Sequence, residues 1–159
     1  MLEKLAEKLG QRLKECHFKL VTAESCTGGG LAYAITATPG SSDWFERGFV
    51  TYSNSAKIDC LKIDPAIINQ YGAVSEETAR AMAEGALKNS YGNMSIAITG
   101  IAGPDGGTPE KPIGTVWFAW ACKIRGTRTQ LKHFTGSRQQ IREQSIRTAL
   151  ENLFAFVEE

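Results

Sequence analysis

The sequence predicts an α/β domain, a three-layer α/β/α sandwich around a mixed, mostly parallel sheet of about five strands with a late antiparallel hairpin. Three observations carry this. β-rich and helical segments alternate through much of the chain, two adjacent β-rich segments near the end read as a hairpin, and an amphipathic helix stands at each terminus. A length of 159 residues suits one domain over 1–159.

Leu2, Leu5, Leu9 and Leu13 recur at helical spacing, so the first sixteen residues predict an amphipathic helix that covers the sheet. Lys19 to Ala23 reads as a short strand, and Thr27-Gly28-Gly29-Gly30 leads into a small-residue helix that ends before Pro39-Gly40. Gly48 to Ser53 is β-rich. Asn54 then suits the N-cap of a helical turn carrying Lys57, Cys60 and Leu61. Asp64-Pro65 has the form of a cap followed by proline at the first helical position, and Ser75-Glu76-Glu77 opens another helix with acids near its positive end. Met94 to Thr99 predicts a strand, followed by a glycine-rich loop over 100–109. Ile113 to Cys122 and Thr127 to Thr135 form the hairpin around Lys123-Ile124-Arg125-Gly126. The last helix starts near Ser137 and places Ile146, Leu150, Leu153, Phe154 and Val157 on one face.

At 42% hydrophobic and 22% charged residues, the composition excludes disordered, collagen-like and disulfide-scaffold classes. No segment approaches a membrane span, and the charged N-terminus does not read as a signal peptide, so the expectation is a cytoplasmic chain without a membrane partner. Cys16, Cys26, Cys60 and Cys122 lie far apart with no C-x-x-C pair, so reduced thiols and no metal are expected. The net charge of +1 argues against nucleic acid as a partner. Lys123, Arg125, Arg128, Lys132, Arg138, Arg142 and Arg147 nevertheless face Glu143 alone across 123–147, which suits either a solvated surface or a phosphate-bearing small ligand.

Four constellations can carry chemistry. Thr22 to Gly29 stands at a strand end and helix start, where unpaired N–H groups favour an anion, so Ser25 is placed as a nucleophile with Thr27, Gly28 and Gly29 around it. An N-cap hydroxyl in a tight glycine turn is the structural alternative, and Cys26 with its thiolate lowered by the helix dipole is a second chemical one. Thr51 to Lys57 is another strand end. Lacking a nearby histidine, a serine needs a different base, and a partly desolvated Lys57 can serve, with Tyr52 as proton relay or substrate contact and Asn54 beside it. In isolation, a surface lysine beside a buried tyrosine ring is the commoner arrangement. In the third segment, Thr99, Gly100 and Gly103 allow close approach of a ligand, but the loop lacks the patterns of a nucleoside-triphosphate or dinucleotide site. Arg138 lies in the first turn of the last helix, where it opposes the dipole and calls for an anion such as phosphate. Trp44, Phe45 and Phe49 suit core or a subunit interface.

Together, T-A-E-S-C-T-G-G at 22–29, the run 40–57 ending in T-Y-S-N-S-A-K, G-A-V-S-E at 72–76, G-I-A-G-P-D-G-G at 100–107 with G-T-V-W-F-A at 114–119, and F-T-G-S-R at 134–138 resemble the CinA C-terminal domain family, the nicotinamide-mononucleotide deamidases. The resemblance runs in order over essentially the whole chain. It implies a stand-alone domain that hydrolyses the carboxamide of nicotinamide mononucleotide to the nicotinic acid nucleotide and ammonia, in pyridine-nucleotide recycling. It raises Ser25 as nucleophile and Lys57 as base, puts Tyr52 in the catalytic set, and implies substrate contacts from Thr27, Gly28, Gly29, Asn54, Thr99, Gly100, Gly103 and Arg138, with no cofactor. Two other functions stay open: a non-enzymatic interaction module linked to competence or DNA damage, and an amidase for another phosphorylated amide. A homo-oligomer, a dimer first, is expected from the apolar face of the last helix and the Trp44–Phe45 segment.

Overall fold

The computed structural model describes residues 2–159 as a five-stranded sheet between two layers of helices. Met1, assigned above to the first helix, lies outside the described residues. In chain order the elements are α1 (Leu2–Glu15), β1 (Leu20–Glu24), α2 (Gly30–Thr36), a short 3₁₀ turn (Ser41–Asp43) and β2 (Phe45–Val50). Then come α3 (Asn54–Leu61), α4 (Pro65–Tyr71), α5 (Glu76–Lys88), β3 (Met94–Gly100), β4 (Thr115–Cys122), β5 (Gly126–His133) and α6 (Arg138–Glu158).

The sheet order is β2-β1-β3-β4-β5. β1 pairs parallel with β2 and β3, while β4 pairs antiparallel with both β3 and β5. Only β4 therefore runs against the others. The carboxyl ends of β1, β2, β3 and β5 share one rim with the start of β4, because Gly100 pairs with Val116 and Thr115 with His133. The hairpin turn at Lys123–Arg125 falls at the opposite end.

Strand alternation divides the core. Leu20, Ile96, Ile98, Val116, Phe118 and Trp120 face α1, α2 and α6, and join the buried Leu9, Leu13, Leu31, Leu150 and Leu153. The other face carries the small Ala23, Ala97, Ala119 and Ala121 with Val21, against Ala79, Met82, Ala83 and Ala86 of α5. Bulky residues on one face and alanines on the other let α5 approach closely, while the first layer is filled by long side chains.

Most helix starts follow the local chemistry expected of them. Asp64 caps α4 with Pro65 at its first position, Ser75 caps α5 by accepting from Thr78 N, and Ser137 and Gln140 form a capping box on α6. α3 differs. Its cap is Ser53, whose hydroxyl accepts from Ala56 N, and Asn54 is the first helical residue. Both residues make good caps, and the extended backbone of Ser53 (φ −84°, ψ 163°) decides between them.

Much of the two surfaces expected to build an interface is buried within the chain. Trp44 is 2% exposed and its indole lies over Gly10 of α1, where a Cβ would collide with the ring. On α6, Leu150, Leu153 and Val157 of the predicted face are buried in the first core layer, and Ile146 and Phe154 pack against it partly buried.

Candidate active site

Four loops converge on the rim because four strands end there: Ser25–Gly29 after β1, Thr51–Ser53 after β2, the loop after Gly100, and the Phe134–Ser137 turn before α6. Ser25 N donates to Ile98 O at 3.0 Å and Thr51 N to Glu24 O at 2.9 Å. The end of β1 is thus tied to both neighbours.

Lys57 comes from α3, whose only buried residues are Lys57 and Leu61, four apart on one face. The helix points a lysine inward where an apolar residue would normally stand. Lys57 is 1% exposed, and its Nζ lies 2.9 Å from Ser25 Oγ, 3.0 Å from Thr51 O and 3.0 Å from Tyr52 O. Burial pushes its pKa down from 10.5 to about 8. A neutral amine has two N–H donors and one lone pair. With the two carbonyls accepting the donors, the lone pair is left facing Ser25 Oγ, so the arrangement can take a proton from the hydroxyl. The sequence-level alternative is inverted, since the lysine is buried and the tyrosine ring is 61% exposed.

The turn that carries Ser25 is held on several sides. Gly28 occupies the left-handed region at φ 57° and donates to Ser25 O at 3.0 Å; Gly29 follows at φ 98°. Glu24 is fully buried, and its carboxylate accepts from Thr27 Oγ1 at 2.6 Å, Leu31 N at 2.8 Å and Ala32 N at 3.0 Å. From the far end of the chain, Arg142 donates through Nε to Cys26 O at 3.1 Å and through Nη2 to Thr27 O at 3.3 Å. Among the described residues, the N–H groups of Thr27 and Gly29 meet no protein acceptor, and that of Cys26 faces its own sulfur. The sequence reading singled out neither Glu24 nor Arg142 for a role at this turn. A signal for Glu24 exists, an acid closing an otherwise apolar strand just before a helix; Arg142 had only its place one turn beyond Arg138.

Cys26 does not have thiolate character. It is buried among apolar side chains, and desolvation raises its pKa from 9.0 to about 11. The helix that follows begins only at Gly30, so its dipole does not offset that burial.

The other sequence-level candidates fall into two groups. The Tyr52 backbone carbonyl accepts from Lys57 Nζ and, at 3.4 Å, from Ser25 Oγ, while its hydroxyl is 3.3 Å from Arg138 Nη2. Arg138 Nη1 also donates to Gly103 O at 2.7 Å, so Arg138 links the β2, β3 and β5 ends of the rim. Asn54 is exposed at the first position of α3. By contrast, the Thr27 hydroxyl is engaged with Glu24, and the buried Thr99 hydroxyl donates to Ala73 O at 2.8 Å. Gly100 gives close packing of β3 on Val116 and Thr115.

The basic stretch 123–147 is not one anion site. Arg125 donates to Phe156 O and Val157 O at the end of α6, Arg128 pairs with Glu159, and Arg147 pairs with Glu151. Helical and strand geometry spreads these charges around α6, leaving Arg142 on the serine turn and Arg138 on the rim loops at Tyr52 and Gly103. Among the described residues, no group of three or more metal-ligating side chains gathers, and no helix is long and apolar enough to cross a membrane.

The family described as the CinA C-terminal domain matches residues 2–157. Nicotinamide-nucleotide amidohydrolase PncC of Pseudomonas putida is 47% identical over 149 residues, covering 94% of this chain and 92% of that protein. The Escherichia coli K12 protein of the same name is 48% identical, covering 96% and 93%. Among solved structures, the competence/damage inducible protein CihA from Agrobacterium tumefaciens superposes with a TM-score of 0.95 at 42% identity, covering 99% of this chain and 96% of that one.

Proposed function

Because the chain belongs to the CinA C-terminal domain family, we propose that it is a nicotinamide-nucleotide amidase that hydrolyses nicotinamide mononucleotide to nicotinic acid mononucleotide and ammonia. The names of the relatives at 47–48% identity support the substrate and the reaction. The observation that carries the mechanism is the buried 2.9 Å contact between Lys57 Nζ and Ser25 Oγ.

In this reading, neutral Lys57 takes the Ser25 proton as Oγ bonds to the carboxamide carbon, and the carbonyl oxygen becomes an oxyanion. The unpartnered N–H groups beside Ser25 accept that charge. As the C–N bond breaks, the Lys57 ammonium returns its proton to the departing nitrogen, giving ammonia and an acyl ester on Ser25. Water then attacks the ester, gives its proton to Lys57, and the carboxylic acid product leaves as Ser25 regains the proton. Lys57 is favoured over Tyr52 as the acid because Nζ already contacts Ser25, whereas the tyrosine hydroxyl contacts Arg138. Arg138 stands at the rim as the ligand for the substrate phosphate, in contact with Tyr52 and Gly103, and Asn54, exposed two residues beyond Tyr52, adds a polar side chain.

Such a substrate belongs in the cytoplasm. A homodimer would use Tyr33, 78% exposed, and Val50 of the outer strand β2, 54% exposed, since Trp44 and most of the apolar face of α6 are buried in the chain; light scattering measures that state. The test of function is ammonia release from a panel of phosphorylated and unphosphorylated amides with Ser25→Ala as control. Release from the mononucleotide by the wild type and none by Ser25→Ala is expected; turnover that survives the substitution removes the serine mechanism.

A further inference from the structure

Cys26 O has one partner among the described residues, Arg142 Nε, whereas Thr27 O also accepts from Gly30 N. Arg142 therefore sets the tilt of the Cys26–Thr27 peptide. In a trans peptide the C=O and the next N–H point in opposite directions. Drawing Cys26 O toward α6 turns the Thr27 N–H away from α6, and that N–H has no acceptor. The next peptide behaves differently. Its carbonyl, Thr27 O, also faces Arg142, but its N–H, that of Gly28, is already bonded to Ser25 O. One oriented donor is left over, two residues beyond the proposed nucleophile.

We propose that Arg142 is a positioning residue for this reaction: by holding Cys26 O it aims and polarises the Thr27 N–H as a donor to the developing oxyanion. The inference rests on the serine mechanism above. A cationic donor on a peptide carbonyl draws electron density from that peptide and strengthens its N–H, so Arg142 acts by charge as well as by geometry. The geometric part needs the planar fork that reaches two adjacent carbonyls, which a lysine ammonium does not reproduce. Two other roles are less well supported. Nε and Nη2 are both taken by carbonyls of the serine turn, which leaves Arg142 a poorer phosphate ligand than Arg138, and a purely structural grip, like that of Arg125 on Phe156 O and Val157 O, would leave kcat unchanged in a folded variant.

Steady-state ammonia release from nicotinamide mononucleotide by Arg142→Ala and Arg142→Lys tests this, with thermal unfolding measured on both. Removing an oxyanion donor outright costs about 10²–10³ in kcat, and Arg142→Ala keeps the Thr27 N–H but misdirects it, so kcat should fall about 10- to 100-fold with KM within about threefold. The midpoint of its pH–rate profile should stay at the wild-type value, since Lys57 is untouched. Arg142→Lys should lie between the two, and millimolar guanidinium should restore part of the Arg142→Ala rate. A folded Arg142→Ala with wild-type kcat, or a loss confined to KM, overturns the proposal. Should Arg142→Ala fail to fold, wild-type kcat in Arg142→Lys overturns it and a reduced kcat at unchanged KM supports it. Ser25→Ala run alongside separates the two levels: retained turnover there defeats the serine mechanism itself, whereas an inactive Ser25→Ala with an unaffected Arg142 variant defeats only this inference.

Discussion

Replacing Lys57 by methionine keeps an unbranched side chain of similar length and removes the buried amine. Burial holds the Lys57 pKa near 8, against 10.5 for a free lysine. Between those values the unfolded chain binds more protons than the folded one, so the lysine's contribution to stability rises with pH across that window. Below about pH 8 both states are protonated and the folded chain carries the full cost of a buried ammonium. At about 1.4 kcal/mol for each pH unit, the gap amounts to about 3 kcal/mol, of which about 2 kcal/mol is recovered between pH 7.5 and 10. The carbonyls of Thr51 and Tyr52 lose a donor in Lys57→Met, but that penalty does not vary with pH. Urea unfolding of both proteins, followed by tryptophan fluorescence at several pH values, isolates the lysine as the difference between them. Wild type should gain about 2 kcal/mol on Lys57→Met from pH 7.5 to 10 while the variant releases no ammonia. A difference that stays constant with pH would refute the buried, depressed amine.

The remaining predictions concern the same rim. The rate kcat/KM should rise with pH and level off above about 8, because only the neutral lysine can accept the serine proton; a flat profile from pH 6 to 9 contradicts that. Cys26→Ala should turn over at close to the wild-type rate, since burial keeps the thiol protonated up to about pH 11, and inactivity in a folded variant would reopen it as a catalytic group. Glu24→Gln should lose about 1–3 kcal/mol in thermal or urea unfolding, because a buried amide N–H would replace an acceptor that now faces Leu31 N or Ala32 N. Unchanged stability would mean that the carboxylate does not hold the start of α2.

The placement of the site was legible because β-α alternation puts every strand-to-helix loop of a parallel set on one rim, so the segments around Ser25, Lys57 and Gly100 had to converge. Arg138 joined them only through the reversal at β4, which the hairpin pattern of 113–135 already contained. Burial was less legible. Lys57 and Leu61 share a face at four-residue spacing, but nothing in so short and weakly patterned a helix marks which face turns inward, and a lysine is the last residue expected there. Ser53 and Asn54 are near-equal caps, so the choice fell to backbone geometry at the end of β2. The grip of Arg142 on Cys26 and Thr27 spans 116 and 115 residues of sequence, and no local pattern encodes such a contact. Charge counting along 123–147 misled for the same reason, since neighbours in sequence point to different sides of a helix and a strand.

The direction of α6 bears on how the protein can be handled. Its 21 residues rise about 30 Å, starting at the rim with Arg138 and ending at Glu158, paired there with Arg12. Leu2 lies at the other end, lining a surface cavity of about 630 Å³ with Thr135, Gly136 and Gln140. A dye, affinity handle or sensor-chip linkage at Glu159 would therefore hang at the end of α6 remote from the rim, whereas one at Leu2 would stand against the rim turn of Thr135 and Gly136.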